Sequence, residues 1–144
     1  MKSFHKSDRS YNLGDFSDTD FYFTQDLLGL HVENTAVPKM PESESPRVEL
    51  VRGDALKALP SYVETHPELI VSLLYLDFDL YEPTKIALEQ LEPLVPLGGV
   101  IAFDELNQAR GAGETLAFKQ VLGIKNVKLR KFFFDPHVSY YVKE

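Results

Sequence analysis

The run Leu69-Ile70-Val71-Ser72-Leu73-Leu74-Tyr75-Leu76 constrains this chain most, because it is apolar at almost every position and stops abruptly at Asp77-Phe78-Asp79. A strand with water on one side alternates apolar and polar residues. An unbroken run predicts a strand buried on both faces, as in a parallel sheet. A shorter run, Gly99-Val100-Ile101-Ala102-Phe103, ends the same way at Asp104-Glu105. Between the two lies a helical pattern from Pro83 to Leu94, with Pro83 at a plausible first position and Ala87, Leu88, Leu91 and Leu94 in one stripe. Strand, helix, strand is a parallel crossover, so both acidic pairs leave the sheet at one edge. In open α/β sheets that edge, outside the carboxyl ends of the strands, is where ligands bind.

The rest of the chain follows the same logic. Residues 1–46 show no sustained period and end in Pro38-Lys39-Met40-Pro41-Glu42-Ser43-Glu44-Ser45-Pro46, a loop by composition. They are predicted to be an irregular, lid-like segment with one short helix over Asp18–Leu28. Residues 47–144 are predicted to hold the α/β domain. Val48–Arg52 reads as a short strand ended by Gly53-Asp54. Ala55, Leu56, Leu59, Tyr62 and Val63 recur at helical spacing, with Pro60 expected to start a fresh turn. Glu114–Leu122 reads as a helix. Val127–Phe134 and Ser139–Val142 read as strands whose short linker, Asp135-Pro136-His137-Val138, forces an antiparallel pair. The fold class is therefore α/β, a three-layer sheet of parallel strands closed by a C-terminal antiparallel hairpin.

Composition narrows the chemistry. A net charge of -7 over 144 residues opposes nucleic-acid phosphates and anionic membrane surfaces as main partners. Cysteine is absent, which excludes disulfides and thiolate metal sites and agrees with a cytoplasmic location. A single strand-end Asp is most simply a helix cap. Asp77, Asp79, Asp104 and Glu105 at two neighbouring strand ends are different, since carboxylates held a few ångströms apart raise one another's pKa unless a cation or a shared proton intervenes. Oxygen-only donors select Mg²⁺ or another hard divalent cation. Among the histidines, His137 in the terminal hairpin is the one to watch.

Leu74-Tyr75-Leu76-Asp77-Phe78-Asp79-Leu80-Tyr81-Glu82-Pro83-Thr84, followed by Pro96-Leu97-Gly98-Gly99 and then Val100–Glu105, resembles the macrocin O-methyltransferase family. These are class I, Rossmann-like, S-adenosylmethionine-dependent enzymes that act on sugar hydroxyls. The resemblance implies an O-methyltransferase in which Asp77, Asp104 and Glu105 hold the divalent metal and Asp79 is the general base. It places Gly53 and Asp54 beside the adenine end of S-adenosylmethionine. The substrate would be a sugar or another small-molecule hydroxyl, with no nucleic acid and no membrane involved. The family's opening strand, Gly-rich turn and helix have no counterpart here. The expectation is thus a chain truncated at its N-terminus, its first βα unit missing, with weak cofactor binding by these residues alone. A strand edge left bare in this way would call for a homo-oligomer or another partner to cover it.

Two other classes stay open. The chain is then a non-catalytic remnant serving as a binding or assembly module. Or it is a metal-dependent glycosyltransferase, whose Asp-x-Asp holds a cation on a nucleotide sugar.

Overall fold

The computed structural model describes residues 49–108, 112–125 and 127–144. Asp54–Glu144 belongs to one compact unit. The expected boundary near residue 46 and the expected helix over Asp18–Leu28 lie outside the described residues.

Among the described residues the unit has helix α1 (Ala55–Thr65), followed by strand β1 (Leu73–Leu76), helix α2 (Tyr81–Leu91) and a 3₁₀ turn at Glu92–Leu94. Strand β2 (Val100–Phe103), helix α3 (Ala112–Val121) and the short strands β3 (Arg130–Lys131) and β4 (Ser139–Val142) complete it. β1 and β2 are parallel, with Leu73 opposite Val100 and Leu76 opposite Phe103. β4 runs antiparallel along the far side of β2, and β3 pairs antiparallel with β4, giving the order β1-β2-β4-β3. The crossover is as the sequence predicts and the terminal pair is antiparallel, but its first strand is only Arg130–Lys131 rather than Val127–Phe134, because Phe132, Phe133 and Phe134 leave the ladder with their rings exposed.

The side-chain period of two sorts the sheet into two unlike faces. Leu74, Ile101 and Tyr141 form one buried row, and Leu76, Phe103 and Ser139 the next. Against this face pack Leu59 of α1, Ala87 and Leu88 of α2, and Ala117 and Phe118 of α3, so the helices and one sheet face enclose a single core. The other face is open at β1, where Leu73 is 59% and Tyr75 48% exposed. β1 therefore alternates, contrary to the expectation of burial on both sides. Its sequence has the apolar content of a doubly covered strand, but the described helices cover only one face.

Other elements shift for local reasons. α1 runs straight through Pro60 rather than restarting there. A proline inside a helix removes one N–H bond to the residue four earlier, here Leu56, which is exposed enough for water to take that carbonyl. Pro83 lies in the first turn of α2, two residues after the first position, where backbone N–H groups have no helical partner anyway. Glu49–Arg52 form no strand, so the described part of the expected Val48–Arg52 strand is absent. No helix among the described residues is long and apolar enough to cross a membrane.

The Gly98-Gly99 turn sets the start of β2. Gly98 has φ 85° and donates to the Lys143 carbonyl at 2.7 Å, tying the turn to the end of β4. A Cβ at Gly99 would meet Val95 Cγ1 at 2.5 Å and the Pro96 carbonyl oxygen at 2.9 Å. Gly99→Ala is therefore expected to cost about 2 kcal/mol, as overpacking of a tight site does, read as a lowered urea midpoint. An unchanged midpoint would show that the turn can widen freely.

Candidate active site

The ladder between β1 and β2 ends with the Asp104 N–H donating to the Leu76 carbonyl at 3.0 Å. Beyond it both chains enter loops, and the acidic residues stand on these loops at the carboxyl ends of adjacent parallel strands. Asp77 is exposed, while Asp79, Asp104 and Glu105 are half-buried. The structure therefore brings the sequence-predicted carboxylates to one rim.

Their electrostatics show how close they are. Burial raises the Asp77 carboxyl above its ordinary range, and the charges of Asp104 and Asp79 raise it further. Glu105 is also raised, first by burial, then by the charge of Asp79 and a hydrogen bond to its carboxyl, then by Asp104, with His137 pulling the other way. A hydrogen bond between two carboxyl groups needs a proton between them, which is one answer to crowded negative charge. No lysine or arginine among the described residues forms an ion pair with these carboxylates.

Asp79 does not cap the helix that follows it. The N-cap of α2 is Leu80, with no side-chain capping bond, and Thr84 Oγ1 instead donates to the Leu80 carbonyl at 2.7 Å. Asp79 sits at the centre of a three-residue turn closed by the Leu80 N–H on the Phe78 carbonyl, with φ 58°. That left-handed conformation is uncommon for a residue with a Cβ, though Asp tolerates it better than most. Strain of this kind persists only where surrounding structure imposes it.

The amides on either side of this turn meet Glu114, in the first turn of α3. Its side chain has no solvent exposure. Oε1 accepts the N–H groups of Phe78 (3.0 Å) and Asp79 (3.3 Å), and Oε2 accepts that of Glu105 (3.3 Å). Burial pushes this carboxyl up to about 7, against the lowering effect of the backbone donors and with a small added push from Asp79. Sequence reading placed Glu114 at a helix start and assigned it no role. The available signal was its register: Glu114, Ala117, Phe118 and Val121 share one helical stripe, and a lone carboxylate on the core-facing side requires buried partners.

Tyr75 and His137 complete the rim. Tyr75 OH donates to Asp104 Oδ1 at 2.5 Å. The Gln108 amide donates to His137 Nδ1 at 2.6 Å, and the His137 N–H donates to Asp135 Oδ1 at 3.0 Å. The bond to Asp104, then burial and the charges of Asp104, Asp77 and Asp135, push the Tyr75 phenol up to about 12. The difference between alkaline absorbance titrations of the wild type and Tyr75→Phe is expected to show one tyrosine ionising near that value. A difference spectrum titrating near the ordinary value of about 10 would contradict the Tyr75–Asp104 bond.

The remaining predicted residues stand apart in role. Asp54 is the N-cap of α1, its carboxylate accepting the Leu56 N–H at 3.2 Å, the commonest task of an Asp at that position. Gly53 precedes it with φ 154°. As the side chains stand, no three carboxylate or imidazole groups among the described residues are gathered closely enough to chelate an ion. The donor chemistry of the four carboxylates, all oxygen and mutually repelling, is of the kind a hard divalent cation takes.

Comparison with known proteins bears on the fold first. No protein-family model and no curated protein matches the chain. Two structures of the calicheamicin methyltransferase CalS11 align with 62% of it at 38% identity and a TM-score of 0.60. One of them is described as an apo TDP-rhamnose 3'-O-methyltransferase of calicheamicin biosynthesis. The O-methyltransferase NovP superposes on 96% of the chain with a TM-score of 0.70, at 18% identity. The chain spans 35% and 38% of the two CalS11 chains and 52% of NovP, about half or less of each. The mixed α/β sheet with its helices is thus the fold of these O-methyltransferases.

Proposed function

We propose that this chain carries the acceptor side of an S-adenosylmethionine-dependent O-methyltransferase that modifies a sugar hydroxyl, with a nucleotide-linked deoxysugar as the leading substrate class. One observation carries the reading: Asp77, Asp79, Asp104 and Glu105 meet at the carboxyl ends of two adjacent parallel strands. The likeness to CalS11, whose stated substrate is TDP-rhamnose, supports the sugar.

A sugar hydroxyl is a weak nucleophile. S-adenosylmethionine, when bound, supplies the electrophilic methyl group, and a divalent cation such as Mg²⁺ supplies positive charge that makes the hydroxyl more acidic. Asp77, Asp104 and Glu105 are the residues that would hold the cation. Asp79 accepts the hydroxyl proton, the task of a general base. Tyr75 orients Asp104 through its hydroxyl. Gly53 and Asp54 are assigned to the adenine end of the cofactor. The reading places the protein in the cytoplasm, where the cofactor is made.

Labelled methyl from S-adenosylmethionine is expected to reach a nucleotide-linked deoxysugar only with Mg²⁺ present and to stop on chelation. Transfer that ignores a chelator would remove this reading. The place of β1 as an outer strand of the described sheet favours a second one, a module that pairs with another copy through that edge. Sedimentation at rising concentration separates the two, because a strictly monomeric chain does not use the edge.

A further inference from the structure

We infer that Glu114 is the positioning residue of the acidic rim, setting the spacing between the Asp77–Asp79 loop and the Asp104–Glu105 loop. The inference rests on the cation-binding reading proposed above and goes beyond it, since that reading assigns Glu114 nothing.

The geometry carries the argument. After the Asp104-to-Leu76 bond the two strands have no further rung between them, and the loops that bear the carboxylates begin. Three donors just beyond the strand ends, Phe78 N–H, Asp79 N–H and Glu105 N–H, all turn to one side chain. Glu114 therefore replaces the missing rung, joining by one carboxylate two loops that the backbone leaves unconnected.

Residue type matters as much as place. Three N–H donors need acceptors, and a carboxylate presents acceptors on both oxygens with no proton of its own. An amide would turn an NH₂ toward one of the donors and lose that bond. An Asp at the same position is one methylene shorter and cannot span both loops from the same helix. The Asp79 N–H bond also holds the φ 58° turn, so Glu114 fixes the direction in which the proposed base leaves the backbone. Its own carboxylate is fully buried beneath the loops and does not reach solvent at the rim. It acts through Asp79 and Glu105, not on a substrate.

The test compares the whole chain as wild type, Glu114→Gln and Glu114→Asp with Val95→Ala, a core control at the opposite end of β2 from the acids. Two measurements are made on each: Mn²⁺ affinity by calorimetry, and amide exchange at Phe78, Asp79 and Glu105 without metal. Both Glu114 variants are expected to lose about 10- to 100-fold in Mn²⁺ affinity, the range seen when a partner behind a metal ligand is changed. At least one loop should lose amide protection in each, and Val95→Ala should change neither measurement. Glu114 variants that bind Mn²⁺ like the wild type, or keep protection at those three amides, would overturn the inference. If the wild type takes up no Mn²⁺, the cation reading itself fails. Exchange then decides Glu114 alone: lost protection upholds the bridge and retained protection removes it.

Discussion

Between pH 4.5 and about 7 the folded chain is expected to lose about 3 kcal/mol of stability through Glu114. The carboxyl is raised in the folded state, from an ordinary 4.5 to about 7, because burial penalises its charge more than the backbone donors reward it. Below the unfolded pKa both states are protonated and the stabilisation is fully present. As pH rises, the unfolded state releases its proton first, and the difference grows until the folded carboxyl also ionises near 7. Asp77 and Glu105 are raised as well and act in the same direction. Glu114→Gln, which does not titrate, should flatten the profile in that window. Urea midpoints measured across the window provide the check. A wild-type stability that stays level or climbs from pH 4.5 to 7 would mean that the buried carboxylate is better compensated than the geometry allows.

Phe103→Ala is expected to cost about 4 kcal/mol. Phe103 has no exposure and lies on β2, between β1 and β4, with Leu76 and Ser139 as its cross-strand partners. Its ring meets that of Phe118 edge-on, centroids 5.4 Å apart, which adds about 1 kcal/mol beyond burial. Small domains have only about 5–15 kcal/mol in total, so the loss would leave the fold marginal. It would also reach the rim, because Asp104 is the next residue and α3 carries both Phe118 and Glu114. Phe133 provides the contrast, being 98% exposed, and its replacement by Ala should stay within about 0.5 kcal/mol. Equal losses from the two substitutions in denaturant unfolding would show that the core does not lie where the sheet and helices place it.

The legible part of the site was the part that follows from connectivity. Asp77 and Asp104 each come directly after an apolar run, and a crossover between those runs leaves them no choice of edge. The terminal hairpin was legible for a similar reason, since its linker is too short to return in parallel. Boundaries were less so. Pro60 suggests a break that α1 absorbs, and the Val48–Arg52 pattern suggests a strand where Glu49–Arg52 form none. In both cases local preference was too weak to decide what the surrounding structure accepts.

Apolar runs, a helical stripe between them and acids at their ends were enough to determine a parallel crossover with a charged rim, because chain length and side-chain periodicity leave few ways to bury that much hydrocarbon. They could not determine that β1 is covered on one face only, since coverage depends on which elements lie across the sheet. Nor could they show that Asp79 occupies a strained turn or that Glu114 bridges loops 35, 36 and 9 residues away. Those features depend on where backbone donors point once the strands have ended, and only the packing of α3 against the sheet sets that direction.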